Sequence, residues 1–213
     1  MGGRPTRATA LPLLAILLLS LACRAKATGE DSAPIDPAGD PVQSDLSDPV
    51  ATAFRKAGFD WTLTPKAAYD IQGVVLGVER YRYGWTADLS PCDVAMAWGP
   101  LAQDGLYRRL HWSQDNRWYW WEYDATWDRT DAWVARHSSN NHVIPATENL
   151  GRAARSLRKG ELAELRGELV FVEGQKGEQH VSWHSSLTRE DEGDGSCELI
   201  YLRWLKVRGL VYE

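Results

Sequence analysis

Trp112, Trp118, Tyr119, Trp120, Trp121, Tyr123, Trp127 and Trp133 crowd into a little over twenty residues of this chain. Successive side chains of a strand point to opposite faces, so a strand through residues 118–123 carries large aromatics on both. One face can enter a core. The other must be covered by the rest of the domain or by a ligand, because tryptophan and tyrosine join a large contact area to a polar handle and anchor many interfaces. Exposure of Trp120 and Trp121 therefore separates a binding role from a purely structural one.

The rest of the chain reads as strands with little helix. Residues 69–83, 93–98, 117–123, 165–172, 180–184 and 199–207 have strand composition. In 165–172 Leu165, Gly167, Leu169 and Phe171 alternate with Arg166, Glu168, Val170 and Val172, a half-buried strand. A turn at 173–177 then predicts a hairpin to 180–183. One helix is clear, over 147–159, where Leu150, Ala153, Ala154 and Leu157 share a face, Thr147 is the N-cap and Gly160 the stop. A second short helix is expected within 101–110. The fold class is α+β and β-rich: a single small twisted sheet or partly closed barrel with one or two helices, an OB-like barrel being the runner-up.

Ahead of this domain, Arg4 and Arg7 precede an apolar run over residues 11–21 that is too short to span a bilayer. Ser20-Leu21-Ala22-Cys23 resembles the bacterial lipobox. The expectation is a signal peptide over 1–22, a lipid on Cys23, a disordered tether over 23–52 rich in Pro, Asp and Ser, and one β-rich globular domain over 53–213. The lipid places the protein in the cell envelope facing the periplasm, with the membrane as its first partner. Arg24 after the cysteine favours the outer membrane where the host has two. Ordinary cleavage near Ala25 or Ala27, giving a secreted soluble chain, is the alternative.

With Cys23 committed to lipid, Cys92 and Cys197 remain, and an oxidising compartment lets them pair. Closing a loop of roughly 100 residues is worth about 4–5 kcal/mol in the chain-entropy model. Two buried thiols are the competing reading. Removal of residues 1–22 leaves 22 basic against 29 acidic side chains, a net charge of −7. Nucleic acid is an unsuitable partner for such a chain. Arg152, Arg155, Arg158 and Lys159 make only a local basic cluster on one exposed helix face.

Several strings carry a resemblance: Trp98-Gly99, Arg117-Trp118-Tyr119, Ser138-Ser139-Asn140-Asn141-His142 with Ile144-Pro145, and Ser185-Ser186-Leu187-Thr188-Arg189 followed by Gly195-Ser196-Cys197-Glu198. Together they resemble a family of uncharacterised bacterial exported proteins and lipoproteins, over most of residues 60–208. The resemblance implies a domain type, with no activity and no catalytic residues to carry across.

The 138–142 stretch, read as a loop, offers the richest set of donors and acceptors. His137 and His142 lack the third ligand of a zinc site, so no metal and no cofactor are assigned. His180 and His184, four apart in a strand, stand about 13 Å from each other. His184, Ser185, Ser186 and Asp191 have the residue types of a catalytic triad but no nucleophile elbow. Arg189 reads as an ion-pair partner of Asp191, and the acidic run 190–195 as a solvated turn without a calcium-ligand ladder. The expected role is a non-catalytic binding or assembly module for an envelope protein, peptide or glycan. Its contact residues are Trp118, Trp120, Trp121, Asn140, Asn141, His142 and Arg189. The rival is an envelope hydrolase using His142 or His184 with nearby Asp or Ser groups. Convergence of those side chains in one pocket favours the hydrolase, and dispersal favours the module.

Overall fold

The computed structural model describes residues 24–188 and 197–213. Cys23, Arg189, Asp191 and the acidic run 190–195 lie outside the described residues. In chain order the elements are β1 Gly29–Glu30, β2 Val42–Ser44, β3 Thr52–Lys56, β4 Phe59–Arg80, α1 Trp85–Leu89, β5 Cys92–Ala97, α2 Gly99–Gln103, β6 His111–Asp115 and β7 Trp118–Glu122. They continue as α3 Asp131–Arg136, β8 Ser138–Pro145, α4 Glu148–Ser156, β9 Leu162–Lys176, β10 Gln179–His184, β11 Glu198–Val207 and β12 Leu210–Tyr212. Residues 101–110 hold the end of α2 and a 3-10 turn at Leu106–Arg109.

β-Rich α+β is the observed class, but the sheet is larger than the small one expected. Ten strands form one mixed sheet, and β6 and β7 form a separate two-stranded one. Among the described residues the path of the large sheet runs from β1 to β10, and the sheet is not closed into the OB-like barrel named as runner-up. Within it, β11 pairs with both β8, in parallel, and β9, antiparallel. With the β4–β5, β5–β8 and β4–β9 ladders, this links five strands in a cycle. Their inward residues, including Ile71, Val75, Val94, Met96, Val143, Leu165 and Ile200, form the main core. Leu150, Ala153, Ala154 and Leu157 of α4 pack against it. Thr147 caps α4 as its sequence requires, its Oγ1 accepting from Leu150 N at 3.1 Å. The helix stops at Ser156, short of the expected end, and Gly160 takes φ +87° in the turn beyond.

Phe59, Trp61 and Leu63 alternate in step with Ala67, Tyr69 and Ile71, as if β4 had one buried face. It has two. The β4–β9 register shifts between Pro65 and Ala67, so Lys66 is an extra residue, and a one-residue slip exchanges the faces. Phe59, Trp61 and Leu63 therefore join a second core with Val170, Val172 and Leu199, while Ala67, Tyr69 and Ile71 enter the main one. A third core lies on the outer side of β4 and β5, where Leu76, Ala95 and Ala97 meet Leu101, Leu110, Trp112 and Val134.

Two expectations need correction. Residues 23–52 are not a disordered tether over their described part. Thr28 N donates to Val211 O at 2.8 Å, β1 pairs with β12, β2 pairs with β4, and Gly99 N donates to Pro37 O at 2.7 Å. Trp98 Nε1 donates to Asp40 Oδ1 at 3.2 Å, and Lys206, buried to 3% exposure, binds Asp31 Oδ2 at 2.7 Å. A segment too polar to build a core has found its hydrogen bonds along a sheet that already exists.

Cys92 and Cys197 are not joined to each other. Cys92 stands opposite Val143 of β8, which stands opposite Ile200 of β11, three residues after Cys197. On an ideal flat sheet, two strand spacings and three residue rises amount to roughly 14 Å between the two Cα atoms, beyond the reach of a disulfide. Burial pushes the Cys92 thiol up to about 12.

Candidate functional site

The stretch expected to be the Ser138–His142 loop is instead β8, a buried strand between β5 and β11. Alternation divides its polar residues. Asn141 points with Val143 towards the main core, where its Nδ2 donates to Val94 O at 3.1 Å and Ser139 Oγ at 3.0 Å, and its Oδ1 has no partner. Asn140 and His142 point the other way, onto the face that carries Asp93.

Asp93 is fully buried and lies directly across the ladder from His142. Its Oδ1 accepts from Arg117 Nη1 at 2.7 Å and faces His142 Nδ1 at 2.9 Å, the latter off the line of a good hydrogen bond. Its Oδ2 receives Asn140 Nδ2 at 3.4 Å. Arg117 also donates through Nη2 to Ser90 O at 2.9 Å, and its guanidinium carbon lies 3.7 Å from the Tyr81 ring centre and 5.2 Å from that of Trp183. The Tyr81 hydroxyl accepts from Arg117 N at 2.9 Å, and burial, with the Asp93 charge beside it, raises its pKa well above the usual phenol value. Trp183 of β10 packs on His142 with ring centres 4.7 Å apart. This polar knot joins Trp183, which packs on the second core, to the hairpin that packs on the third.

Arg117 reaches the knot from the tip of the β6–β7 hairpin. Asp115 pairs with Trp118, leaving Asn116 and Arg117 as a two-residue turn with φ +47° and +73°, the signs a type I′ turn demands. Glycine is the usual residue at the second position, so arginine there carries backbone strain. The side chain offsets it by pinning the hairpin to the large sheet. Gln114 adds a second pin, its Nε2 donating to Asn140 Oδ1 at 2.9 Å. A methyl group on Gly77 would sit 2.3 Å from Gln114 Oε1, so a larger residue there would have to displace the Gln114 side chain from this pin.

The hairpin sorts its aromatics by face. Trp112, Tyr119 and Trp121 turn inwards against the third core, with ring centres 5.5–6.2 Å apart, and Trp121 Nε1 donates to Asp131 Oδ1 at 2.9 Å. Trp118 and Trp120 turn outwards opposite Asp115 and Ser113. Trp118 is half-buried, and Trp120 keeps 45% of its surface exposed. Beyond the strand, Tyr123 is exposed and its ring lies tilted against Trp127 with centres 6.0 Å apart; the Trp127 indole N–H is buried without a hydrogen-bond partner.

No family model, no curated protein and no solved structure matches this chain. The site is therefore read from its own geometry. Asn140 and His142 meet Asp93 as one cluster, while Asn141 faces the opposite side and Trp121 is an inward packing residue. Trp118 and Trp120 stand on the outer hairpin face. Asp93, Tyr81, Arg117 and Trp183 were missed by sequence reasoning. An acid flanked by apolar residues in Cys92-Asp93-Val94, and an arginine after asparagine at a tight turn, are the signals that point to them.

Apart from the contact between His142 and Asp93, the residue types of a hydrolase lie elsewhere. His184 stacks on Phe171 at 4.3 Å. The Ser185 hydroxyl donates to Ser186 O at 2.8 Å and accepts from Leu199 N at 3.0 Å, and the Ser186 hydroxyl donates to Thr188 O at 2.7 Å. Both serines are buried, with their hydroxyls committed to backbone groups. His137 caps the end of α3, its Nδ1 lying 2.7 Å from Trp133 O, five positions before His142. Among the described residues no group of three or more His, Cys, Asp and Glu side chains could hold a metal ion, and no helix is long and apolar enough to cross a membrane.

Proposed function

We propose that this chain is an exported lipoprotein of the bacterial envelope, anchored through Cys23 and facing the periplasm, that serves as a non-catalytic binding or assembly module. Its contact surface is the outer face of the β6–β7 hairpin, which carries Trp118 and Trp120. The observation that carries the reading is Trp120, a large aromatic left 45% exposed on a hairpin that Arg117 fixes rigidly to the sheet. Rigid, exposed tryptophan gives contact area at low entropic cost, the property of an interface anchor.

Glycan strands and extended peptides both suit such a platform. The hydrolase reading has less support, since His142 and Asp93 are buried beneath Arg117 and Trp183 and both neighbouring serines are bonded elsewhere. Calorimetric titration with soluble N-acetylated glycan fragments and with an extended-peptide library tests the module. Binding by the intact protein that falls at least tenfold in Trp120→Ala supports it. Absence of binding, or binding unchanged by that substitution, overturns it.

A further inference from the structure

We propose that the exposed face of α4, together with the first described residues of the chain, rests against an anionic phospholipid surface. The inference depends on the reading of Cys23 as the lipid-bearing residue and goes beyond it by fixing which side of the domain meets the membrane.

The chain is clamped almost at once after Cys23. Lys26 N donates to Asn149 Oδ1 at 2.8 Å, and Asn149 Nδ2 returns a bond to Lys26 O at 2.8 Å, so one amide side chain of α4 closes both backbone groups. Ala25 and Ala27 pack on the main core, and Thr28 joins β12. Three residues separate Cys23 from Lys26, and a fully extended chain covers at most about 3.6 Å per residue. An acylated Cys23 sits at the headgroup layer, so Lys26 and the start of α4 must stand within roughly 10 Å of it. That distance is about one Debye length at 0.1 M salt, inside the range where lipid charge is felt.

The charge on this side is of the matching sign. Arg24, Lys26, Arg158 and Lys159 are exposed and Arg152 and Arg155 half-exposed, all at or beside α4, although the chain after residue 22 carries a net −7. Acids near this side include Glu30, Asp31, Asp88, Glu148, Glu161 and Glu213, and Lys206 holds Asp31 at 2.7 Å. Glu148 pairs with Arg152 at 3.4 Å, and Arg208 holds Glu161 at 3.2 Å. An otherwise acidic body is thus turned so that its basic side faces anionic headgroups, an arrangement that polybasic segments next to membrane anchors use generally.

The experiment uses the full acylated protein in nanodiscs of phosphatidylcholine alone and of phosphatidylcholine with phosphatidylglycerol. A water-soluble amine-acylating reagent is applied and each lysine is read by mass spectrometry. Lys66 and Lys176, exposed elsewhere on the sheet, are the internal reference. Modification of Lys26 and Lys159 relative to that reference is expected to fall several-fold on the anionic discs. Raising the salt to 0.5 M, or Arg152→Gln with Arg158→Gln, is expected to restore it. Equal modification on both discs by a chain whose intact mass shows acyl groups on Cys23 overturns this proposal alone. A chain without acyl groups overturns the lipid reading first, and this proposal with it.

Discussion

Arg117→Gly sets two effects of opposite sign against each other at one residue. At φ +73° an L side chain strains the backbone, and glycine relieves about 1 kcal/mol of it. Against this stands Asp93, whose carboxylate is fully buried and loses its partner at 2.7 Å. Breaking a buried pair from one side costs about 3–5 kcal/mol, because the remaining charge is left uncompensated. The pair wins, and the net loss is about 2–4 kcal/mol. For a domain of this size that lowers Tm by roughly 5–15 °C, measured by calorimetry beside a urea titration. Asp93→Asn added to Arg117→Gly removes the orphaned charge and is expected to recover at least about 1 kcal/mol of the loss, a coupling visible only in a double-mutant cycle. An Arg117→Gly variant as stable as the parent would refute the reasoning, since the hairpin would then be held by its aromatic face alone.

Other perturbations separate local from tertiary effects. Thr147→Ala removes the cap of α4 and is expected to cost about 1 kcal/mol in urea unfolding, with binding untouched. Trp120→Ala, a surface change, is expected to shift stability by less than about 0.5 kcal/mol while weakening the ligand, so a large Tm change would instead mark Trp120 as a packing residue. The Lys206 partner holds the Asp31 carboxylate below its ordinary 3.8, so this contact stabilises the fold above pH 3.8 and is lost as pH falls further through the lowered value. Hydrogen exchange at Thr28 is expected to quicken first in that acid range. Cys92, its thiol pushed up to about 12, should resist a thiol-specific disulfide reagent at pH 8 until urea unfolds the chain. Rapid labelling of Cys92 in the native protein would contradict its burial.

What the sequence determined by itself is what depends on near neighbours. The cap and apolar face of α4, the β9–β10 hairpin and the strand character of β5, β7 and β11 follow from residues a few positions apart, because dihedral preference and side-chain periodicity are local. The two aromatic faces of β7 were legible for the same reason, and only the tertiary structure decided which of them stays open. Ser138-Ser139-Asn140-Asn141-His142 read as a loop because polar runs usually cannot be buried. Here Asp93, Gln114 and Arg117, distant in sequence, supply the partners that make burial tolerable. Residues 23–52 read as a tether because alone they bury too little, yet the edges of β4 and β12 accept their backbone bonds. Lys66 reverses the faces of β4 without disturbing its alternation in sequence, since a bulge exists only relative to a partner strand. Cys92 and Cys197 satisfied the arithmetic of pairing and were then placed two strands apart. Only the tertiary structure decides such matters, because burial, register and pairing are properties of contacts between segments that the chain brings together from far apart.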